Sequence, residues 1–268
     1  MNLSISNIAW PPEYDEEVYR YMSNLGLSGL EIAPTRIFPE SPYSHLKEAK
    51  QFSESIMRDY GLGLSSMQSI WYGMTESIFG VSSERKILLD YTKKAIDFAR
   101  EMNCPNVVFG CPKNRNIPDH LDKEACLPIA VEFFDSIGDY AVRSNTHFSL
   151  EANPPIYGTN FLNTTVDAFE MCRKVNHPGV RVNVDLGTMI YNNETIDILD
   201  DSIELVNHVH ISEPYLKIIQ KRSLHMKLLQ KLKKLKYEKY ISIEMGSLSD
   251  IEEVKNTIDY IVELKDGV

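Results

Sequence analysis

Four residues in the second half of the chain have the types and spacing to hold a divalent cation: Glu151, Asp185, His210 and Glu244. Each ends a short apolar stretch: Phe148-Ser-Leu-Glu151, Val180-Arg-Val-Asn-Val-Asp185, Val206-Asn-His-Val-His210 and Tyr240-Ile-Ser-Ile-Glu244. The intervals are 185 − 151 = 34, 210 − 185 = 25 and 244 − 210 = 34 residues. Each has room for one helix and two loops, the length of one strand–helix unit. Four consecutive parallel strands then deliver three carboxylates and one imidazole to the same end of a sheet. That donor set, oxygen-rich with one nitrogen, suits a hard or borderline divalent ion. A single acid at a strand end is ordinarily solvated or salt-bridged. Four in phase argue for a metal site.

The rest of the chain must position these four. Pro154 and Pro155 stop the strand that carries Glu151, because proline has no N–H for the ladder. Upstream, Leu3–Ile8, Gly29–Ala33, Leu62–Met67 and Asn106–Phe109 read as four more strands. Helical spacing predicts helices over Glu16–Leu25, Ser44–Tyr60, Ser82–Met102 and Glu124–Ser144. It also predicts helices over Thr165–Val175, Thr195–Ser202 and Ser223–Leu235, and a last one running to about Leu264. Gly26 and Gly61 are helix stops, Thr164 or Thr165 is a cap, and Ser249-Asp-Ile-Glu252 has capping-box spacing. In Ser82–Met102, the residues Ile87, Leu88, Tyr91, Ala95, Phe98, Ala99 and Met102 form one apolar stripe. Strand and helix alternate through eight units with no linker, which predicts a closed (β/α)8 TIM barrel, α/β in class, as one domain over residues 1–268. The interiors of its strands are expected to include Ile5, Leu30, Leu64, Val108, Leu150, Val184, Val209 and Ile243. Barrel active sites lie at the C-terminal strand ends, where the four ligands fall.

Composition narrows the function. The net charge of −10 argues against a nucleic-acid backbone or an anionic membrane as the main partner. Cys104, Cys111, Cys126 and Cys172 form no CxxC pair, and a chain this rich in core needs no staples, so reduced thiols and a cytoplasmic location are expected. No stretch approaches the roughly 18 apolar residues of a membrane span.

The Glu-Asp-His-Glu pattern on the last four strands resembles the xylose isomerase-like barrel superfamily. The similarity covers nearly the whole chain. FGCPKNR (109–115), LEANPPIYG (150–158), VDLGTM (184–189) and VHISEP (209–214) look like its sugar phosphate isomerase/epimerase group, beside ketose 3-epimerases and hydroxypyruvate isomerases. The resemblance implies one divalent ion, manganese foremost, with magnesium, cobalt or zinc as the other candidates. It implies that Glu151 and Glu244 both ligate the ion and exchange the substrate proton, and that Asp185 and His210 are ligands only. Free-ketose epimerases carry a histidine three residues after the strand-six aspartate, where this chain has Thr188. They carry an arginine seven residues after the strand-seven histidine, where it has Lys217. The implied activity is isomerisation or epimerisation of a sugar or sugar derivative, phosphorylated or not, by proton transfer next to a carbonyl. A dehydratase or lyase on the same barrel and a non-catalytic sugar-binding barrel are the alternatives. A DNA-repair endonuclease of the superfamily needs extra histidines that the third and fourth strand ends lack.

Around the ion, Trp10, Trp71, Tyr72 and Tyr157 are expected to form an aromatic wall for sugar C–H faces. Gln68 and Asn153 are expected to meet hydroxyls. Lys113 and Arg115 are expected to meet a phosphate or carboxylate, with Lys217, Lys221 and Arg222 as a second cationic set. Glu213 is a candidate to orient a ligand or bind a hydroxyl. His208 points the way His210 does, one layer deeper, and reads as a core residue; Cys111 reads as small packing. The expected partner is a small sugar or sugar phosphate, with no nucleic acid, no membrane and a homo-oligomer left open.

Overall fold

A computed structural model describes residues 1–268 as a barrel of eight parallel strands in sequence order. The strands are β1 (Asn2–Ser6), β2 (Gly29–Ile32), β3 (Gly63–Met67), β4 (Asn106–Phe109), β5 (His147–Glu151), β6 (Val180–Asp185), β7 (Val206–Ser212) and β8 (Tyr240–Glu244). β1 pairs with β8, Ile5 opposite Ile243, so the sheet closes and no edge is left unpaired. The helices are α1 (Asp15–Asn24), α2 (Pro34–Ile37), α3 (Leu46–Tyr60), α4 (Ser82–Glu101), α5 (Lys123–Arg143), α6 (Thr165–Val175), α7 (Leu186–Asn192), α8 (Ser223–Lys234) and α9 (Ile251–Asp266). None is long and apolar enough to cross a membrane.

Alternation along each strand sorts the side chains into two environments. Ile5, Leu30, Leu64, Leu150, Val184, Val209 and Ile243 belong to one continuous apolar core. The residues between them are polar and face the barrel axis. Near the bottom, Asn207 on β7 and Ser149 on β5 both donate to Asn106 Oδ1 on β4, at 2.7 and 2.5 Å. Higher up, Gln68 donates to Ser6 Oγ at 2.5 Å. Barrels of this kind are commonly filled by branched apolar residues. This one is filled by short polar chains that must satisfy one another, because a buried unpaired polar group is costly. Val108 departs from the other strand-interior residues and faces the cavity at the top of the barrel.

Local chemistry explains most element ends. Gly61 closes α3 with φ +70°, in the left-handed region. Thr164 and Asp167 form a reciprocal capping box on α6. Three expectations are corrected. The helix after β6 covers Leu186–Asn192, and only two short 3-10 turns, at 196–199 and 203–205, follow it. The reason is Asp185, which ends β6 and also caps α7 by accepting the Thr188 N–H, so the chain turns into helix at once. Ile87 is 46% exposed, since the buried stripe of α4 runs through Leu88, Ala95, Phe98 and Ala99 and leaves Ile87 on its flank. Asp250, not Ser249, caps α9, accepting the Glu252 N–H.

Candidate metal centre and active site

Parallel register brings the four strand ends together. Asp185 lies opposite His210, while Glu151 lies opposite Asn183 and Glu244 opposite Ser212. The two glutamates therefore stand one pleat below and one pleat above the Asp185–His210 level. Their longer side chains close the gap. One donor atom from each of Glu151, Asp185, His210 and Glu244 lies within 4.8 Å of all the others. Glu151 Oε1 is 3.0 Å and Glu244 Oε2 3.1 Å from His210 Nδ1.

Three of the four are held from behind. Asp185 Oδ2 accepts the Thr188 N–H at 2.7 Å and lies 2.8 Å from the Thr188 hydroxyl; Oδ1 accepts from Ser212 Oγ. Gly187 lets the first turn of α7 approach β7, since a Cβ there would meet Ser212 Oγ at 2.6 Å. Glu151 Oε1 accepts from Asn183 Nδ2 at 2.5 Å and Oε2 from Asn153 Nδ2 at 3.2 Å. The other ring nitrogen of His210 faces Glu31 on β2, 3.1 Å from Oε1, and Glu31 Oε2 is 2.9 Å from His208 Nε2. Burial alone would raise the Glu31 carboxyl, but the two imidazoles hold it well below the usual carboxylate range. Glu31 thus orients the His210 ring with Nδ1 toward the carboxylates.

The donor chemistry fits a divalent cation. Three buried carboxylates converge with no lysine or arginine head group among them. Burial, then the charges of Glu151 and Asp185, push the Glu244 carboxyl up to about 7, against the opposing pull of His210. Burial and the Glu151 charge raise the Asp185 carboxyl as well. Burial by itself would lower the His210 pKa, yet Glu31 and Glu244 drive it well above the ordinary value. The cluster carries negative charge that its own groups do not neutralise, and that is what a bound dication would neutralise.

Above the cluster lies a cavity of about 200 Å³, lined among others by Gln68, Cys111, Asn153, Tyr157 and Leu216. Tyr157 is half-buried, and its hydroxyl accepts the Tyr215 N–H at 2.8 Å. Burial, then the Asp185 charge, pushes this phenol up to about 12.

Other expected site residues stand elsewhere. Trp10 is 1% exposed and donates Nε1–H to Asp15, and Trp71 is 2% exposed and donates to Thr92; both pack into the core, so the aromatic wall reduces to Tyr157. Tyr72 is 74% exposed on a loop and does not line the cavity. Lys113 is exposed, and Lys217 is exposed with its ammonium over the Tyr215 ring, 5.8 Å from its centroid. Arg115 is fully buried behind Glu151. Glu213 turns away from the cavity into a two-pronged pair with Arg222, at 2.7 and 2.6 Å. Lys221 lies over the Tyr260 ring.

Glu31, Asn183, Thr188 and Ser212 were not among the expected site residues. Parity would have found two of them, since Asn183 and Ser212 lie two residues from Asp185 and His210 and so share their faces. Glu31 carries a different signal, a carboxylate amid the apolar Gly29-Leu-Glu-Ile-Ala33 strand.

Residues 19–264 match the family model described as xylose isomerase-like TIM barrel. No curated protein matches the chain by sequence. Among solved structures, a 3-keto-D-glucoside 4-epimerase from E. coli superposes with a TM-score of 0.77 at 18% identity, covering 97% of this chain and 98% of that one. D-psicose 3-epimerase from Clostridium cellulolyticum H10, solved with D-tagatose, gives 0.77 at 16% identity over 100% and 99%. The IolI protein, solved with a bound zinc atom, gives 0.75 at 15% identity over 100% and 99%. At such identities these likenesses establish the fold.

Proposed function

The chain belongs to the xylose isomerase-like TIM barrel family, and from that premise we propose that it is a divalent-metal-dependent isomerase or epimerase of an uncharged sugar. The observation that carries the reading is the convergence of the Glu151, Asp185, His210 and Glu244 donor atoms at four successive strand ends. Manganese leads the candidate ions, because three carboxylates outweigh one imidazole. The structural likeness to two sugar epimerases and to a zinc-binding protein is consistent with this reading.

A divalent ion held by these residues would polarise a substrate carbonyl and its neighbouring hydroxyl. The protein's own groups supply the rest. In this reading Glu244 and Glu151 take a proton from the carbon beside that carbonyl and return it. Return to the opposite face is epimerisation; return to the adjacent carbon is isomerisation. Tyr157 and Leu216 line the cavity, and Gln68 on its wall has a side-chain amide that suits substrate hydroxyls.

The placement of the cations supports an uncharged substrate. None lines the cavity. Lys113 is exposed, Arg115 is buried behind the acids, Arg222 is paired to Glu213, and Lys217 lies over Tyr215. A phosphate entering among three carboxylates would find no counter-charge beyond the bound ion. A reducing, cytoplasmic setting is part of this proposal, since a chain this rich in core needs no disulfide staples.

The test is incubation of Mn2+-loaded protein in D2O with a panel of free aldoses and ketoses and their phosphates. The expected result is deuterium at the carbon next to the carbonyl of a free sugar, its skeleton otherwise conserved, and loss of this exchange with a chelator. Loss of water from the substrate would make the protein a lyase. Preference for a phosphorylated sugar would overturn the uncharged-substrate reading.

A further inference from the structure

Arg115 is a cation with no exposed surface and no carboxylate partner. Burying a charge without a counter-ion is costly, so its placement calls for a cause. Its hydrogen bonds go to neutral acceptors. Nη1 donates to the Glu151 carbonyl oxygen at 2.8 Å, and Nη2 to Asn153 Oδ1 at 2.8 Å and to the Leu162 carbonyl oxygen at 3.4 Å. The guanidinium also lies over the Phe109 ring, 5.4 Å from its centroid. Two of the three acceptors belong to Glu151 or to the residue that holds the Glu151 carboxylate.

We propose that Arg115 is a positioning residue for Glu151, acting through the orientation of the Asn153 amide. A guanidinium can only donate. Facing Arg115, the Asn153 amide must present its oxygen, which turns its NH2 toward Glu151 Oε2. Without the guanidinium nothing on that side selects this orientation. The flipped amide would set an oxygen against the carboxylate, and Glu151 would leave its place. The other side leaves no slack: a Cβ on Gly110 would sit 2.8 Å from the same Glu151 oxygen. Arg115 also pins the Glu151 main chain, so the start and the end of the side chain are fixed by one group. Lysine cannot replace it, because one ammonium does not reproduce a planar fork of donors.

The test compares Arg115→Met, Arg115→Lys, Asn153→Ala and the Arg115→Met/Asn153→Ala double variant, with thermal melting to select folded protein. The proposal rests on the function proposed above only for its activity arm. There, Arg115→Met and Asn153→Ala should each lower kcat by about 10–100-fold, the usual effect of losing a group that orients a ligand. The double variant should be little worse than either single one. KM of Arg115→Met should hardly change, since Arg115 does not line the cavity, and Arg115→Lys should not rescue. The second arm needs no substrate: Co2+ titration followed by its visible absorption should show weaker binding and an altered spectrum in both single variants. Unchanged Co2+ affinity, spectrum and kcat in folded Arg115→Met overturn the proposal. If that variant does not fold, the same readouts on Asn153→Ala decide. A wild-type protein that neither binds Co2+ nor exchanges deuterium overturns the proposed function instead. Even then, a crystal structure of Arg115→Met with Asn153 and Glu151 unmoved overturns the positioning role.

Discussion

Glu151 and Glu244 meet the same atom, His210 Nδ1, at 3.0 and 3.1 Å, yet they are held differently. Glu151 is gripped by two amides, Asn183 and Asn153, one on each oxygen. Glu244 has the imidazole as its partner and no amide or hydroxyl behind it. Of the three carboxylates in the cluster, Glu244 has the most freedom to follow a moving proton.

Glu244→Gln should therefore be the most damaging conservative change. The amide keeps the shape and a carbonyl ligand but loses the base, and general-base work is worth about 10²–10⁴-fold in rate. We expect kcat to fall by at least about 10²-fold with metal still bound, measured by turnover alongside elemental analysis. Glu151→Gln should lose turnover too, and some metal with it, because its new NH2 faces the Asn153 or Asn183 donor. Near-normal turnover in both metal-loaded variants would leave the two glutamates as ligands only.

Asp185 is a strand end, a helix cap and a metal-ligand candidate at once. Asp185→Asn keeps a capping oxygen for the Thr188 N–H, so the melting temperature of the metal-free protein should move little. Its activity should fall and be partly restored by added Mn2+. Asp185→Ala also loses the cap and should cost about 0.5–2 kcal/mol of stability. Saturating Mn2+ should stabilise the wild type by about 2.7 kcal/mol at a hundredfold excess over Kd, and Asp185→Asn much less at the same concentration. Equal metal-induced shifts in the two proteins would remove Asp185 from the ligand set.

Gly110→Ala is a steric probe of Glu151. The added methyl would lie 2.8 Å from Oε2, which is too close, and the carboxylate has to give way. We expect a drop in kcat of about tenfold or more from a displacement this close to the chemistry, with a cooperative thermal transition retained. A crystal structure with Glu151 unmoved, together with normal kcat, would contradict it.

His225 sets a pH dependence of stability away from the metal cluster. It is fully buried on α8, with Nδ1 3.1 Å from the Tyr260 hydroxyl and Nε2 unpartnered. Burial pushes its pKa down to about 4. The unfolded chain binds this proton near 6.5. Between those values the unfolded state holds more protons, so stability falls as pH falls. The contribution is complete above about 6.5, declines through the window and levels off near 4. His225→Gln, which keeps a polar partner for Tyr260, should flatten the pH dependence of the urea midpoint in that range. Identical slopes for wild type and variant would refute it.

Local pattern carried the architecture. Strand–helix alternation, the prolines after Asn153 and the phase of Glu151, Asp185, His210 and Glu244 depend on neighbours within a few residues, so they are legible in the chain itself. The barrel is closed in the expected order, and the expected quartet lies together. Tertiary structure decided where the loop side chains point. Trp10, Trp71 and Glu213 sit beside strand ends and looked like site residues. Their partners, Asp15, Thr92 and Arg222, take them into the core or away from the cavity. Arg115 reads as a loop cation and is buried, because its acceptors lie 36 to 47 residues away, at the end of β5 and on the loop that follows it. Glu31 reaches His210 across 179 residues. Strand periodicity determines which face a residue takes, but a loop side chain is placed by whichever distant donor or acceptor the closed barrel brings beside it.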